Sequence, residues 1–516
     1  MVSTFFSYIT TLWQILFSII LKITSKLLST TRNKPLLPPG PKPWPIVGCI
    51  PQMILNKKPA FEWIHKLMEE METEIACIRL GNVHVIPVTS PEFACLFLKN
   101  HDSIFSLRPI CMSADLVSNG YLTSIFLPMG DQWMKMRRIL TSHVLSPTYF
   151  HWLRRKRDEE ADHLLRFVYD QCINKRLINL RKVTRYYCAN VIKNMIFSKR
   201  LLGPLVESEE EEEQVDAIFT LLEYFHSFSI SDYLPWLSGF DLDGHKAIIK
   251  KAFAIATKHI DYETDRRIHI WKNGNKTLEE DILDVLIMLK DTNGNPMLNA
   301  KEIKAQEFMF ATIDNASYAV EWTIKEMLNQ PKIMQRAIEE IDNVIGSDRL
   351  VQESDLSQLN YVKACIKESF RLHPLAAFNV PHVSMSDSVV GEYFIPKGSV
   401  VLLSRLGLGR NPKIWDDPMK FKPERHINEK GGDVVLTDSE LRLLSFSIGR
   451  RGCPGVKLGS TITTMLLVRL LQGFTWSSAS SSRGNDLTDG YPDCALHGTM
   501  PFFAKPKPRL PKHMYL

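Results

Sequence analysis

Near its C-terminus the chain reads F-S-I-G-R-R-G-C-P-G, Phe446 to Gly455. The glycines around Cys453 permit tight turns and let the backbone approach the sulfur closely. An apolar run from about Val456 to Leu471 follows, and Gly473 ends it. The spacing therefore predicts a helix starting just after the cysteine. A cysteine at a helix N-terminus, with backbone N–H groups aimed at it, is favoured as the thiolate. Arg451 adds a guanidinium, which pairs well with a carboxylate.

Such a frame points to a sulfur ligand for a haem iron, caged by Phe446, Gly449, Arg451 and Gly455, with Arg451 placed for a haem propionate. The fixed positions of F-x-x-G-x-R-x-C-x-G are all filled, which displaces the reading of Cys453 as a structural cysteine. Thiolate ligation pushes electron density onto iron and favours O–O cleavage. Oxygen activation, rather than oxygen carriage, is the expected chemistry.

Composition narrows the setting. The 516 residues are 45% hydrophobic and 23% charged, with a net charge of +6. That charge is mild for the length and does not argue for nucleic acid. Nine cysteines without a C-x-x-C argue against a disulfide framework or a structural zinc, and fit a reducing, cytosol-facing compartment. Phe5 to Ile23 is mostly apolar, and Lys22, Lys26, Arg32 and Lys34 follow. This predicts a retained membrane-spanning anchor with its basic flank on the cytosolic side, not a cleaved signal peptide. Pro35 to Gly48, P-L-L-P-P-G-P-K-P-W-P-I-V-G, reads as a stiff hinge. The expected organisation is an anchor over 1–31, a basic and proline-rich hinge over 32–48, and one catalytic domain over 49–516.

Within that domain, helical periodicity marks Asp158–Tyr169, Lys246–Trp271, Leu278–Lys290 and Ala300–Gln330, and β-like runs mark Val83–Val88 and Val389–Val401. The acidic run Glu207–Glu213 reads as a solvated helix start or loop. Glu368 and Arg371 share one helical face at i, i+3, and with Arg425 of F-K-P-E-R they predict a buried structural network. Trp133 and Arg137, at i, i+4, offer donors only and suit a propionate. Asp314 and Asn315 sit in the apolar middle of a long helix, where a polar pair costs free energy unless it is satisfied. Facing a haem, they mark where oxygen and protons are handled.

Together these features resemble the cytochrome P-450 superfamily of haem-thiolate monooxygenases, along the whole chain and in the family's order. The resemblance implies a mainly α prism fold with a small β-rich lobe, haem b, and electrons from NADPH through cytochrome P-450 reductase. It implies a single-pass endoplasmic-reticulum protein, with the lipid bilayer as a partner and the catalytic domain in the cytosol. Carried over by residue, Cys453 is the axial ligand, and Trp133, Arg137, Arg451 and His382 are propionate partners. Arg450, Arg451 and Lys457 make a basic face for the reductase. Asp314-Asn315, F-N-V-P-H-V from Phe378, L-L-S-R-L-G-L-G-R-N-P from Leu402 and L-L-Q-G-F-T-W from Leu470 resemble plant amino-acid N-monooxygenases more closely. Ala316 departs from that family, which commonly has proline there.

This closer resemblance implies two N-hydroxylations of a free L-amino acid, then loss of water and CO2 to an aldoxime, in glucosinolate or cyanogenic-glucoside type metabolism. Arg108, in F-S-L-R-P, is a candidate grip on the substrate carboxylate, and Phe378 a second substrate contact. The alternatives are a carbon-hydroxylating cytochrome P-450 acting on another small plant metabolite, a haem-thiolate isomerase or dehydratase, and a non-enzymatic haem sensor or carrier.

Overall fold

The computed structural model describes residues 36–118, 120–201, 209–224, 227–310, 314–427, 432–478 and 502–516. The helices that build the site are α1 (Asp131–Ile139), α2 (Arg154–Ile173), α3 (Leu180–Phe197), α4 (Glu209–Tyr224), α5 (His245–Lys272), α6 (Ala300–Phe310), α7 (Asp314–Asn329), α8 (Asn360–Leu372) and α9 (Val456–Gly473). The expected mainly α body is thus present. Helix α9 is apolar around most of its circumference, so it is buried around most of it. Ile462, Met465, Leu466, Leu467, Leu470 and Leu471 all lie in the main core, and α9 packs on α2, α7 and α8.

The β-rich part is a four-stranded sheet of β1 (Ile78–Leu80), β2 (Val83–Val88), β3 (His382–Val383) and β4 (Val400–Leu403), in the order β1-β2-β4-β3. Strands β2 and β4 run parallel, with Val85 opposite Val400, while His382 pairs antiparallel with Val401. This register carries the segment just before β3 to the rim of the helical core. A smaller sheet pairs Phe474–Ser478 with Phe503–Pro508, whose other edge takes Ile178–Asn179.

Local chemistry explains where the expected elements end. The run Val389–Val401 divides into Ser388–Val390, Tyr393–Ile395 and β4, because Gly391 and Gly398 turn at φ 61 and 81. The helix expected over Leu278–Lys290 begins only at Ile282, where the Asp281 side chain caps it by accepting from Asp284 N at 3.1 Å. The acidic run ends in the first turn of α4, where negative charge complements the helix dipole. Of the helix expected over Ala300–Gln330, residues 311–313 lie outside the described residues, and α6 and α7 flank them.

The expectation of a membrane-spanning helix is corrected. Among the described residues, no helix is long and apolar enough to cross a membrane. The longest, α5, carries charged side chains along its length, and α9 contains Lys457 and Arg469 and belongs to the protein core. The single-pass endoplasmic-reticulum topology and the lipid bilayer as partner lose their structural support with it. Phe5 to Ile23, on which they rested, lies outside the described residues.

One ionic network ties the body together below the cysteine loop. Glu368 and Arg371 are both fully buried and pair through two bonds of 2.8 and 2.7 Å. Arg371 also donates to the carbonyls of Gly409, Pro418 and Lys420. Glu368 receives Lys422 N at 2.8 Å, faces His426 Nε2 at 2.8 Å and lies 3.2 Å from Arg425 Nε. Burial pushes the Glu368 carboxyl up, but Arg371 and His426 outweigh it and hold it at about 2. Removing one partner of a buried pair leaves an uncompensated charge, so Glu368→Gln should cost about 3–5 kcal/mol of stability. Because the folded pKa is depressed, the benefit is complete above the unfolded value of roughly 4.3 and is lost as pH falls through the folded one. Urea titrations of wild type and variant should therefore differ at neutral pH, draw together below about pH 4 and converge only near pH 2.

Candidate active site

A cavity of about 300 Å³ opens between the start of α7, the loop after α8, the loop before α1 and the cysteine loop. Cys453, Phe446, Asp314, Asn315, Phe378 and Arg405 all line it. The cysteine loop closes on itself through Cys453 N to Phe446 O at 2.9 Å and Gly452 N to Gly449 O at 3.0 Å. Gly449 must be glycine. Its φ is +75, and a Cβ there would lie 2.5 Å from Asp102 Oδ1 and 2.8 Å from Leu98 O. Asp102 in turn accepts from Arg450 N and Nη1 at 3.1 and 2.8 Å. Phe446 meets Phe370 of α8 edge-to-face, with centroids 6.0 Å apart. The sulfur is therefore held from two sides and faces the cavity. Burial pushes its thiol up, while the Gly455 N–H, Arg137 and Arg405 pull it down.

Three guanidiniums crowd one side of the cavity. Arg108 donates to Ile125 O, Val380 O and Pro381 O at 3.3, 2.7 and 2.8 Å. Arg451 donates to Ser106 O, Ser124 O and Leu127 O at 2.7, 3.2 and 2.6 Å, and Arg137 to Gly452 O at 2.6 Å. Among the described residues, none of the three has a carboxylate partner. Burial, and then the other cations, drive Arg108 well below its ordinary value. Burial first, then Arg137, lower Arg451 to about 10. His382 lies beside them. Its Nδ1 lies 2.8 Å from Phe105 O, and its buried Nε2 has no hydrogen-bond partner among the described residues. Burial, with help from Arg108 and Arg451, takes this imidazole down to about 3. A buried excess of positive charge suits a group carrying anionic carboxylates, and such a neighbour would favour the protonated His382 ring, whose Nε2–H could then donate to it.

Two further sequence-predicted residues are placed as follows. The Trp133 indole N–H donates to Ser124 O at 3.1 Å, and its ring lies 5.1 Å from the Arg451 guanidinium carbon. It touches the cation rather than the cavity. Asp314 is buried at the first turn of α7, with its Oδ1 accepting from Asn315 N and Nδ2 at 2.9 and 3.3 Å. Burial raises its carboxyl to about 6, against the pull of that N–H, Arg405 and Arg185.

Comparison with known proteins decides the family. A cytochrome P450 family model matches residues 38–494. The chain belongs to the cytochrome P450 family. It is 52% identical over 511 residues to a phenylalanine N-monooxygenase of Prunus mume, covering 96% of this chain and 94% of the relative. It is 50% identical over 507 residues to isoleucine N-monooxygenase 1 of Lotus japonicus, with coverages of 96% and 94%. A tyrosine N-monooxygenase of Sorghum bicolor is 48% identical over 511 residues, with coverages of 96% and 91%. Membership brings haem b as cofactor and electrons from NADPH. The residues present fit that cofactor, with one sulfur facing the cavity and a side of unpaired guanidiniums for its two propionates.

Sequence reasoning missed His426 and Arg405. His426 directly follows the F-K-P-E-R motif, so only its neighbourhood pointed to it. Arg405 is a cation inside the apolar run L-L-S-R-L-G-L-G, a signal of the kind that marked Asp314.

The buried Asp314 carboxyl has a testable cost. Its folded pKa is raised, so the associated stability is complete below the unfolded value of roughly 3.9 and is lost as pH rises through the folded one. Asp314→Asn should therefore stabilise the fold by about 2–3 kcal/mol at neutral pH and by almost nothing near pH 4. Denaturant midpoints of the two proteins across that range check it.

Proposed function

We propose that this cytochrome P450 N-hydroxylates a free L-amino acid twice and releases the aldoxime. In balance, one amino acid, two O2, two NADPH and two protons give one aldoxime, one CO2, three waters and two NADP+. The observation that carries the reading is near-full-length identity of about half to relatives named as amino-acid N-monooxygenases. The relatives are named for phenylalanine, isoleucine, valine, tyrosine and tryptophan. Val117, Ile125, Phe126, Leu221, Leu222 and Phe378 line the cavity here, so the side chain accepted is apolar.

Bound haem b supplies the oxygen-activating chemistry. Cys453 holds its iron as thiolate, and Arg137 and Arg451 take the propionates; His382, whose Nδ1–H is given to Phe105 O, joins them through Nε2 once an adjoining carboxylate raises its pKa and protonates the ring. Trp133 acts through Arg451, on which it stacks. The apolar walls disfavour a charged ammonium and so present the amine with its lone pair available. Asp314, raised to about 6, exchanges protons close to neutral pH, as a general acid–base group must. Asn315 has no hydroxyl to relay protons; its carboxamide hydrogen-bonds the substrate amine or an ordered water.

The test is expression with an NADPH-dependent reductase and a panel of protein amino acids, with aldoximes read by mass spectrometry. An aldoxime from at least one apolar amino acid is expected; formation from none refutes the proposal. Cys453→Ala should abolish the red-shifted Soret band of the reduced, CO-bound protein, and survival of that band removes Cys453 as ligand. Asn315→Thr should lower aldoxime formed per NADPH consumed, whereas wild-type rate and coupling would strip Asn315 of its role.

A further inference from the structure

One amide on the cavity wall has a donor to spare. Asn379 stands in the loop after α8 between Phe378 and Val380, and all three line the cavity that holds Cys453, Asp314 and Asn315. Backbone contacts set its position. Asn379 N donates to Leu403 O of β4 at 2.9 Å, and the adjoining Phe378 pairs with Ser404 in an isolated β-bridge. Asn379 is only 6% exposed. Its Oδ1 accepts from Arg405 Nη2 at 3.2 Å. A guanidinium carries donors only, so the atom that faces it must be the amide oxygen. That contact decides which way the amide is turned. Nδ2 is left on the other side, and among the described residues nothing accepts from it. It is open to the cavity rather than sealed within the core.

A buried N–H without an acceptor costs free energy unless a ligand supplies one. The other donors around the cavity narrow the choice of ligand group. Arg137, Arg451 and His382 are placed for the haem propionates. Arg108, the candidate taken from the sequence, donates to Ile125 O, Val380 O and Pro381 O. Asn379 is held by other elements, β4 and the short helix Arg405–Gly409. Its spare donor therefore falls to the substrate. A free α-amino acid presents two kinds of acceptor, the carboxylate oxygens and the amine lone pair. The lone pair has to stay free to react, so the carboxylate is the acceptor that can be held. A carboxylate that enters between apolar walls loses its water and needs such a donor.

We infer that Asn379 donates through Nδ2 to the carboxylate of the amino-acid substrate. This rests on the amino-acid reading above and adds a residue that enforces it. A hydrogen bond to an ionised acceptor contributes more than one between neutral groups. In an α-amino acid the amine is one carbon from the carboxylate, so a carboxylate held at Asn379 restricts where the nitrogen can lie. The contact also selects the acid. A decarboxylated amine meets the same apolar walls but leaves Nδ2 unbonded.

The experiment titrates purified haem-loaded protein with L-phenylalanine, L-tyrosine, L-tryptophan, L-valine and L-isoleucine, and with the corresponding decarboxylated amines. Binding is followed by the Soret difference spectrum and by calorimetry. Asn379→Asp keeps the oxygen that meets Arg405, removes the donor and sets a negative charge against the carboxylate. It should raise the Kd of the accepted amino acid about 10- to 100-fold and leave that of its amine unchanged or lower. Asn379→Ala, which adds no charge, should raise the Kd of the acid about 10-fold and leave that of the amine within about twofold. CO-bound spectra should show normal haem content in both, and Asn379→Ala decides if Asn379→Asp alone loses haem. An unchanged acid-to-amine ratio in a haem-loaded variant overturns the inference, as does equal loss of acid and amine. Loss of haem from both variants assigns the donor to a propionate and overturns it too. If wild type binds an amino acid that both variants bind as tightly, Asn379 alone is wrong. If wild type binds none of the amino acids, the underlying reading has failed and the inference falls with it.

Discussion

The Glu368–Arg371 pair is the interaction on which the placement of the sulfur depends. An ion pair removed from water is worthwhile only when every donor and acceptor finds a partner. Here Arg371 meets its carboxylate and three backbone carbonyls, and Glu368 adds Lys422 N and His426. The pair thus fastens α8 to the irregular stretch from 409 to 426, which has little regular structure of its own. The fit leaves no slack, because a Cβ on Gly409 would lie 2.2 Å from Arg371 O. Phe370, on the same helix, is the ring against which Phe446 of the cysteine loop leans. A fault in the ion pair would therefore reach the sulfur through one turn of helix.

On the cavity side the same residue type is used in the opposite way. Arg371 has its countercharge inside the fold, whereas among the described residues Arg108, Arg137 and Arg451 have only carbonyl oxygens. Carbonyls satisfy N–H donors but do not neutralise charge. The contrast distinguishes an arginine that holds the chain together from arginines that await a ligand, and it does so from hydrogen-bond partners alone. Arg405 is steadied by an amide oxygen, and a buried carboxyl lies within its field.

Much of this was legible in the amino-acid order, and the limits are physical. Helix α9 follows from an apolar run ended by glycine, strand β2 from its β-branched residues, and Trp133 and Arg137 do share α1. These depend on near neighbours. The partner of the Trp133 indole does not, for it is a backbone carbonyl in a preceding irregular loop. Nor does the unpaired nitrogen of His382, a property of burial rather than of spacing. Asp314 stood out as polar within an apolar stretch, but how far its carboxyl is raised depends on how tightly the core closes over it. The apolar stretch at Phe5 to Ile23 gave an expectation of a membrane helix that no described helix supports. The family motifs carried the reaction class.

The uncompensated guanidiniums bear on the life of the protein before it becomes an enzyme. Like charges buried at close range lower the stability of the chain that carries them, and a dianionic ligand removes that burden only on arrival. A newly made chain would then spend longer in open, protease-accessible forms until porphyrin reaches it. Steady-state abundance would follow porphyrin supply as much as transcription, so a shortage of porphyrin would lower the amount of the polypeptide itself and not merely its activity.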